Sequence, residues 1–170
     1  MKPLMQLTAA SLFAFLASLA AASDKIAILD DCDPADSLWA PTGGCLLKEG
    51  DVTLAEFDSL LGSMLSTAVI GHPAWRNEPS YVSIEVGEKL RVRNHGGRLH
   101  TFTEVAAFGG GRVPPLNIGL TPAPECAPVP NDPTAVAPGA RLEIRGLATG
   151  NHLFQCCIHP WMRALVKVEP

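Results

Sequence analysis

Apolar and polar residues alternate one for one in Tyr81-Val82-Ser83-Ile84-Glu85-Val86, and the alternation resumes in Lys89-Leu90-Arg91-Val92-Arg93 after a Gly87-Glu88 turn. A period of two puts every second side chain on one face, so these segments read as two half-buried strands. Leu99 to Val105, Arg141 to Arg145, His152 to Cys156 and Ala164 to Val168 carry similar signals. No helical pattern lies between them. That disfavours parallel crossover units and leaves an all-β fold, an antiparallel β-sandwich, as the expectation. Fifteen glycines and fifteen prolines in 170 residues suit the many turns such a fold needs. Six of the prolines, at 122, 124, 128, 130, 133 and 138, make the stretch from Thr121 to Gly139 a stiff, irregular connection. The Gly109-Gly110-Gly111 run has no following Lys-Ser/Thr and opens no helix, so it reads as a turn and not a phosphate cradle.

The first 22 residues stand apart from this pattern. Lys2 precedes an uncharged run from Leu4 to Ala22 that ends in Ala20-Ala21-Ala22-Ser23, the arrangement of a signal peptide and its cleavage site. Export to the bacterial periplasm or an extracellular space is expected, with no membrane span left after cleavage. The whole chain carries 13 Lys plus Arg against 17 Asp plus Glu, and this mild acidity excludes a nucleic-acid partner.

Five cysteines in an exported chain matter, because disulfides persist there. They are Cys32, Cys45, Cys126, Cys156 and Cys157. An odd count leaves one for a free thiol, an intermolecular bridge or a metal. Residues 23–71 read as an N-terminal extension, ahead of a domain over 72–170. In the extension Asp31-Cys32-Asp33-Pro34 and Pro41-Thr42-Gly43-Gly44-Cys45 are two turn clusters that a local bridge would join. Thr53-Leu54-Ala55-Glu56 fits a capping box, and Leu54, Phe57, Leu61, Met64, Leu65 and Ala68 recur at helical spacing, predicting one amphipathic α-helix.

The chemistry concentrates in Phe154-Gln155-Cys156-Cys157-Ile158-His159-Pro160-Trp161-Met162, where a thiolate, an imidazole and a thioether fall within seven residues. Soft sulfur donors with an imidazole favour copper over hard cations, and one further imidazole would complete a trigonal His2Cys site with a long axial Met. His100 begins a strand and shares a face with Phe102, so it can point into a core edge. His95 lies in a turn, His152 alternates with Phe154 as a packed ring, and His72 precedes Pro73 outside the strands; for these three an ordinary structural role is expected.

The C-terminal segment resembles the copper-binding loop of the cupredoxins, the plastocyanin and amicyanin family, whose shortest-loop pattern is Tyr/Phe-x-Cys-x-x-His-x-x-Met. Asn94 and His100-Thr101 resemble that family's upstream Asn and His. The resemblance covers roughly residues 76 to 170. It implies a Greek-key β-sandwich holding one copper per chain, with His100, Cys156, His159 and Met162 as its ligands. It further implies an electron carrier and not an enzyme, cycling Cu(I)/Cu(II) as a monomer with transient protein redox partners, and with the His159 ring edge at the surface as the electron's exit. Copper delivery or storage is the alternative. A dithiol function for Cys156 and Cys157 is disfavoured, since a vicinal disulfide is strained and no Cys-x-x-Cys is present. The chain departs from the family pattern in its doubled cysteine and in its helical extension. Alternation sends Cys156 and Cys157 to opposite faces, leaving Cys157 as a buried thiol or as the partner of Cys126. A two-copper purple centre would need cysteines several residues apart, which are absent.

Overall fold

A computed structural model describes residues 25–62, 75–117 and 119–170. The signal peptide expected over residues 1–22, His72 and the helical positions Met64, Leu65 and Ala68 lie outside the described residues. Two four-stranded sheets face each other across one core. The first orders β2 (Trp75–Glu78), β1 (Lys25–Asp30), β4 (Leu90–Asn94) and β8 (Arg141–Ile144). The second orders β3 (Tyr81–Glu85), β10 (Arg163–Glu169), β9 (Gly150–Gln155) and β6 (Thr103–Val105). A short third pair joins β5 (His100–Thr101) to β7 (Ala135–Val136). Each strand expected from alternation is present, and one face of each carries its residues into the core. Ile26, Ile28, Leu90 and Val92 of the first sheet meet Val82, Ile84, Phe154, Val166 and Val168 of the second.

Two expectations are corrected. The sandwich is mixed, because β1 runs parallel to β4 and β3 runs parallel to β10. The parallel neighbours are far apart in the chain, and the connections between them pass through other strands, so no helical crossover is required. The segment read as an extension is also no appendage at its start. Strand β1 lies between β2 and β4 inside the sheet, with Ile26 and Ile28 fully buried.

The helix α1 (Leu54–Gly62) opens on the expected capping box. The Thr53 amide donates to Glu56 Oε2 at 2.8 Å and the Glu56 amide donates to Thr53 Oγ1 at 3.3 Å, satisfying two otherwise orphaned groups. Cys32 and Cys45 form the expected local disulfide, closing a separation of 13 residues around a 3-10 turn that buries Trp39. A loop of this size constrains the unfolded chain by about 3 kcal/mol. Replacing both cysteines with serine is expected to lower the unfolding free energy of the metal-free protein by about that amount in urea titration. A loss well under about 1 kcal/mol would show that packing alone holds the segment.

The proline-rich connection is irregular, as expected, and it is pinned. Asp132 accepts from Arg112 Nη2 at 2.7 Å and from Thr134, while Cys126 is bridged to Cys157. The structure thus decides between the two roles open to Cys157. Cys156 is the free cysteine among the described residues, which removes the vicinal dithiol reading.

Candidate metal centre

Three side chains converge at one end of the sandwich. His100 opens β5, whose pairing with β7 fixes its direction, and Cys156 and His159 lie in the loop between β9 and β10. That loop is closed tightly. The Cys156 amide donates to the Met162 carbonyl at 2.9 Å, and the Met162 amide donates to the His159 carbonyl at 2.9 Å. Buried Arg163 donates from Nε to the Pro160 carbonyl at 2.8 Å and lies 5.0 Å from the Phe108 ring centroid, holding the loop from behind. Gly111 packs so close to the Cys157 carbonyl that a Cβ there would stand 2.1 Å from it, so the turn read from the glycine run is the wall against which the loop rests.

The donor atoms form a compact triangle. His100 Nδ1 and His159 Nδ1 are 3.1 Å apart, and Cys156 Sγ lies 3.8 Å from the first and 3.6 Å from the second. The point equidistant from all three is about 2.0 Å from each, close to the bond lengths first-row metal ions make to imidazole nitrogen and slightly short for thiolate sulfur. All three residues are buried. Their chemistry and spacing fit a copper ion. Burial disfavours charge on His100, but the Asp30 carboxylate and the Cys156 sulfur outweigh it and carry its pKa up to about 9. Burial likewise pushes the Cys156 thiol up, yet hydrogen bonds and charge from His100 and His159 overcome this and hold it well below the ordinary thiol range. Thr101 and His159 add backbone amides to Sγ, at 3.3 and 3.4 Å. The thiolate is therefore ready for a cation before one arrives.

Met162 is fully buried within the same loop. Asn94, the other sequence-singled residue, ties the His100 loop together by donating to the Arg98 and Val136 carbonyls and accepting from the Gly96 amide. His95 is exposed in its turn. His152 is not a packed ring, because its two nitrogens engage Glu104 at 2.6 Å and the Ala148 carbonyl at 2.7 Å on the flank of the sandwich.

No family model matches the chain, and no curated protein matches it. Among solved structures it is similar to a purple cupredoxin from Nitrosopumilus maritimus, with a TM-score of 0.42 and 20% identity over 58% of this chain and 86% of that one. It is also similar to a reduced amicyanin variant (TM-score 0.38, 17% identity, 64% and 89% covered) and to amicyanin from Paracoccus versutus (0.37, 20%, 64% and 88%). The chain itself is a β-sandwich of two four-stranded sheets.

On this frame the His159 edge is not at the surface, which corrects the exit expected at its ring. His159 is only 6% exposed. The Trp75 ring meets it edge-on at 4.9 Å and Trp161 at 5.5 Å, with Trp39 and Phe57 packed against Trp75. Trp39 and Phe57 come from the segment ahead of β2, so that segment seals the metal end. Asp30, unmarked in the sequence, places its carboxylate 2.9 Å from His100 Nε2. The alternation of Lys25-Ile26-Ala27-Ile28 was the available signal for β1, but nothing local marks Asp30 or Trp75 as neighbours of His100 and His159.

Proposed function

We propose that the chain is an exported electron carrier holding one copper ion through His100, Cys156 and His159, with the Met162 thioether as a weak fourth donor. The observation that carries this reading is the preassembled, buried triangle of two imidazole nitrogens and a thiolate. Bound copper would supply a one-electron couple, and no open position for a substrate is needed. The protein's own part is to hold the donors still. A loop closed by two backbone hydrogen bonds and backed by Arg163 would hold the donors in place, so that little would have to move if a bound copper changed its oxidation state. The aromatic layer of Trp75 and Trp161 over His159 would be the way out for an electron to a transiently docked protein partner. Two disulfides suit the oxidising compartment to which residues 1–22 would direct the chain. Copper delivery or storage would use the same soft donors, but the ion would have to pass the buried aromatic layer on each exchange.

The test is to load the metal-free protein with Cu(II) and record its visible spectrum and voltammogram. Intense thiolate-to-copper absorption with a reversible couple is the expected result. A colourless protein that holds Cu(I) and does not cycle would overturn electron transfer in favour of copper handling. Met162→Gln should keep the copper and the colour while moving the midpoint potential, since the thioether is a weak donor that tunes more than it binds. An unchanged potential would remove Met162 from the site.

A further inference from the structure

Asp30 ends β1 with its side chain 1% exposed, an uncommon place for a carboxylate. It is fully engaged. Oδ1 accepts from the Gly97 amide at 2.7 Å, and Oδ2 accepts from the Arg98 amide at 2.7 Å while contacting His100 Nε2 at 2.9 Å. Gly96 is built around it, since a Cβ there would stand 2.3 Å from Oδ1. Both carboxylate oxygens already accept from backbone amides, so Nε2 of His100 donates to Asp30 and keeps its proton, and Nδ1, which faces Cys156 and His159, is the nitrogen that gives up its proton to a metal. The two amides fix the carboxylate, and the carboxylate fixes the ring.

Resting on the electron-carrier reading, we propose that Asp30 is a positioning residue that sets the His100 tautomer for copper and, as a buried negative charge, biases the centre toward Cu(II). A carboxylate bonded to the far nitrogen of a metal-binding imidazole orients the ring and raises its basicity, and losing such a partner costs 10–100-fold in metal affinity. The charge acts more strongly on the doubly charged ion, because Coulomb attraction scales with charge and burial leaves it poorly screened. Asparagine has the carboxylate's shape without its charge. Its amide would donate to Nε2 and move the ring proton to Nδ1, the wrong nitrogen for the metal.

The test is Asp30→Asn, with Cu(II) and Cu(I) affinities measured by competition and the midpoint by voltammetry. Cu(II) binding is expected to weaken at least tenfold more than Cu(I) binding, raising the potential by about 59 mV or more for this one-electron couple. A purely structural role would weaken both ions alike and leave the potential unmoved, and that result, or a lowered potential, overturns the proposal. Should the variant fail to fold, nitrogen NMR of the wild-type Cu(I) or zinc form decides: a proton on His100 Nε2 supports the assignment, and a proton on Nδ1 overturns it. A wild-type protein without copper–thiolate absorption would sink the electron-carrier reading instead, and the zinc form would still report the tautomer.

Discussion

Copper-loaded Cys156→Ser is expected to lose its intense visible absorption, while Cys157→Ser keeps the colour and loses stability. The two residues are chain neighbours with opposite fates. Cys156 points into the triangle, 3.6 and 3.8 Å from the two imidazole nitrogens, and its sulfur is held as a thiolate. A serine hydroxyl is a harder donor and far less acidic, so the copper–thiolate transition has no source in that variant. Cys157 points to the other face, where it is bridged to Cys126 across 31 residues beside Val105 and Ala123. Opening that bridge frees the proline-rich connection in the unfolded chain and should cost about 2–5 kcal/mol in denaturant titration. The reverse pair, a coloured Cys156→Ser and a colourless Cys157→Ser, would mean that the loop register is displaced by one residue.

Trp75 carries the second large effect. It is buried against His159, Trp39, Phe57 and Trp161, its indole donates to the Asp31 carbonyl at 2.9 Å, and the Arg98 guanidinium lies 5.6 Å from its ring centroid. Trp75→Ala should destabilise the protein by about 3–5 kcal/mol, the usual cost of emptying a buried aromatic site. The milder Trp75→Leu exposes the functional consequence. A histidine ligand could leave reduced copper and take up a proton only if its ring can reach water. Proton uptake by the reduced form alone favours reduction, so the potential of the variant should climb as pH falls, by up to about 59 mV per unit. The wild-type potential should stay flat over the same range, because Trp75 and Trp161 cover His159. A wild-type potential that climbs as steeply as the variant's would show that the aromatic layer does not seal the site.

The segment that supplies Trp39 and Phe57 also shows where reading along the chain stops. Its disulfide and its helix cap were legible because each joins residues close in sequence: Cys32 to Cys45, and Thr53 to Glu56. Its position over the metal end was not, because that depends on Phe57 and Trp39 meeting Trp75, a contact no local pattern encodes. The expected surface exit at His159 failed for the same reason. The loop was read correctly as a loop, but what covers it comes from elsewhere in the chain.

The strands, the turns and the Cys156, His159 and Met162 cluster are properties of the sequence by itself, since side-chain alternation and a seven-residue loop are short-range and their geometry follows from backbone period. The parallel pairing of β1 with β4, the choice of Cys126 for Cys157, the carboxylate on His100 and the aromatic cover on His159 were decided only by the tertiary structure. Each joins groups far apart in the chain, 70 residues in the case of Asp30 and His100. Such pairs form because the closing of two sheets around one core brings them together, and a chain read residue by residue holds no record of that closure.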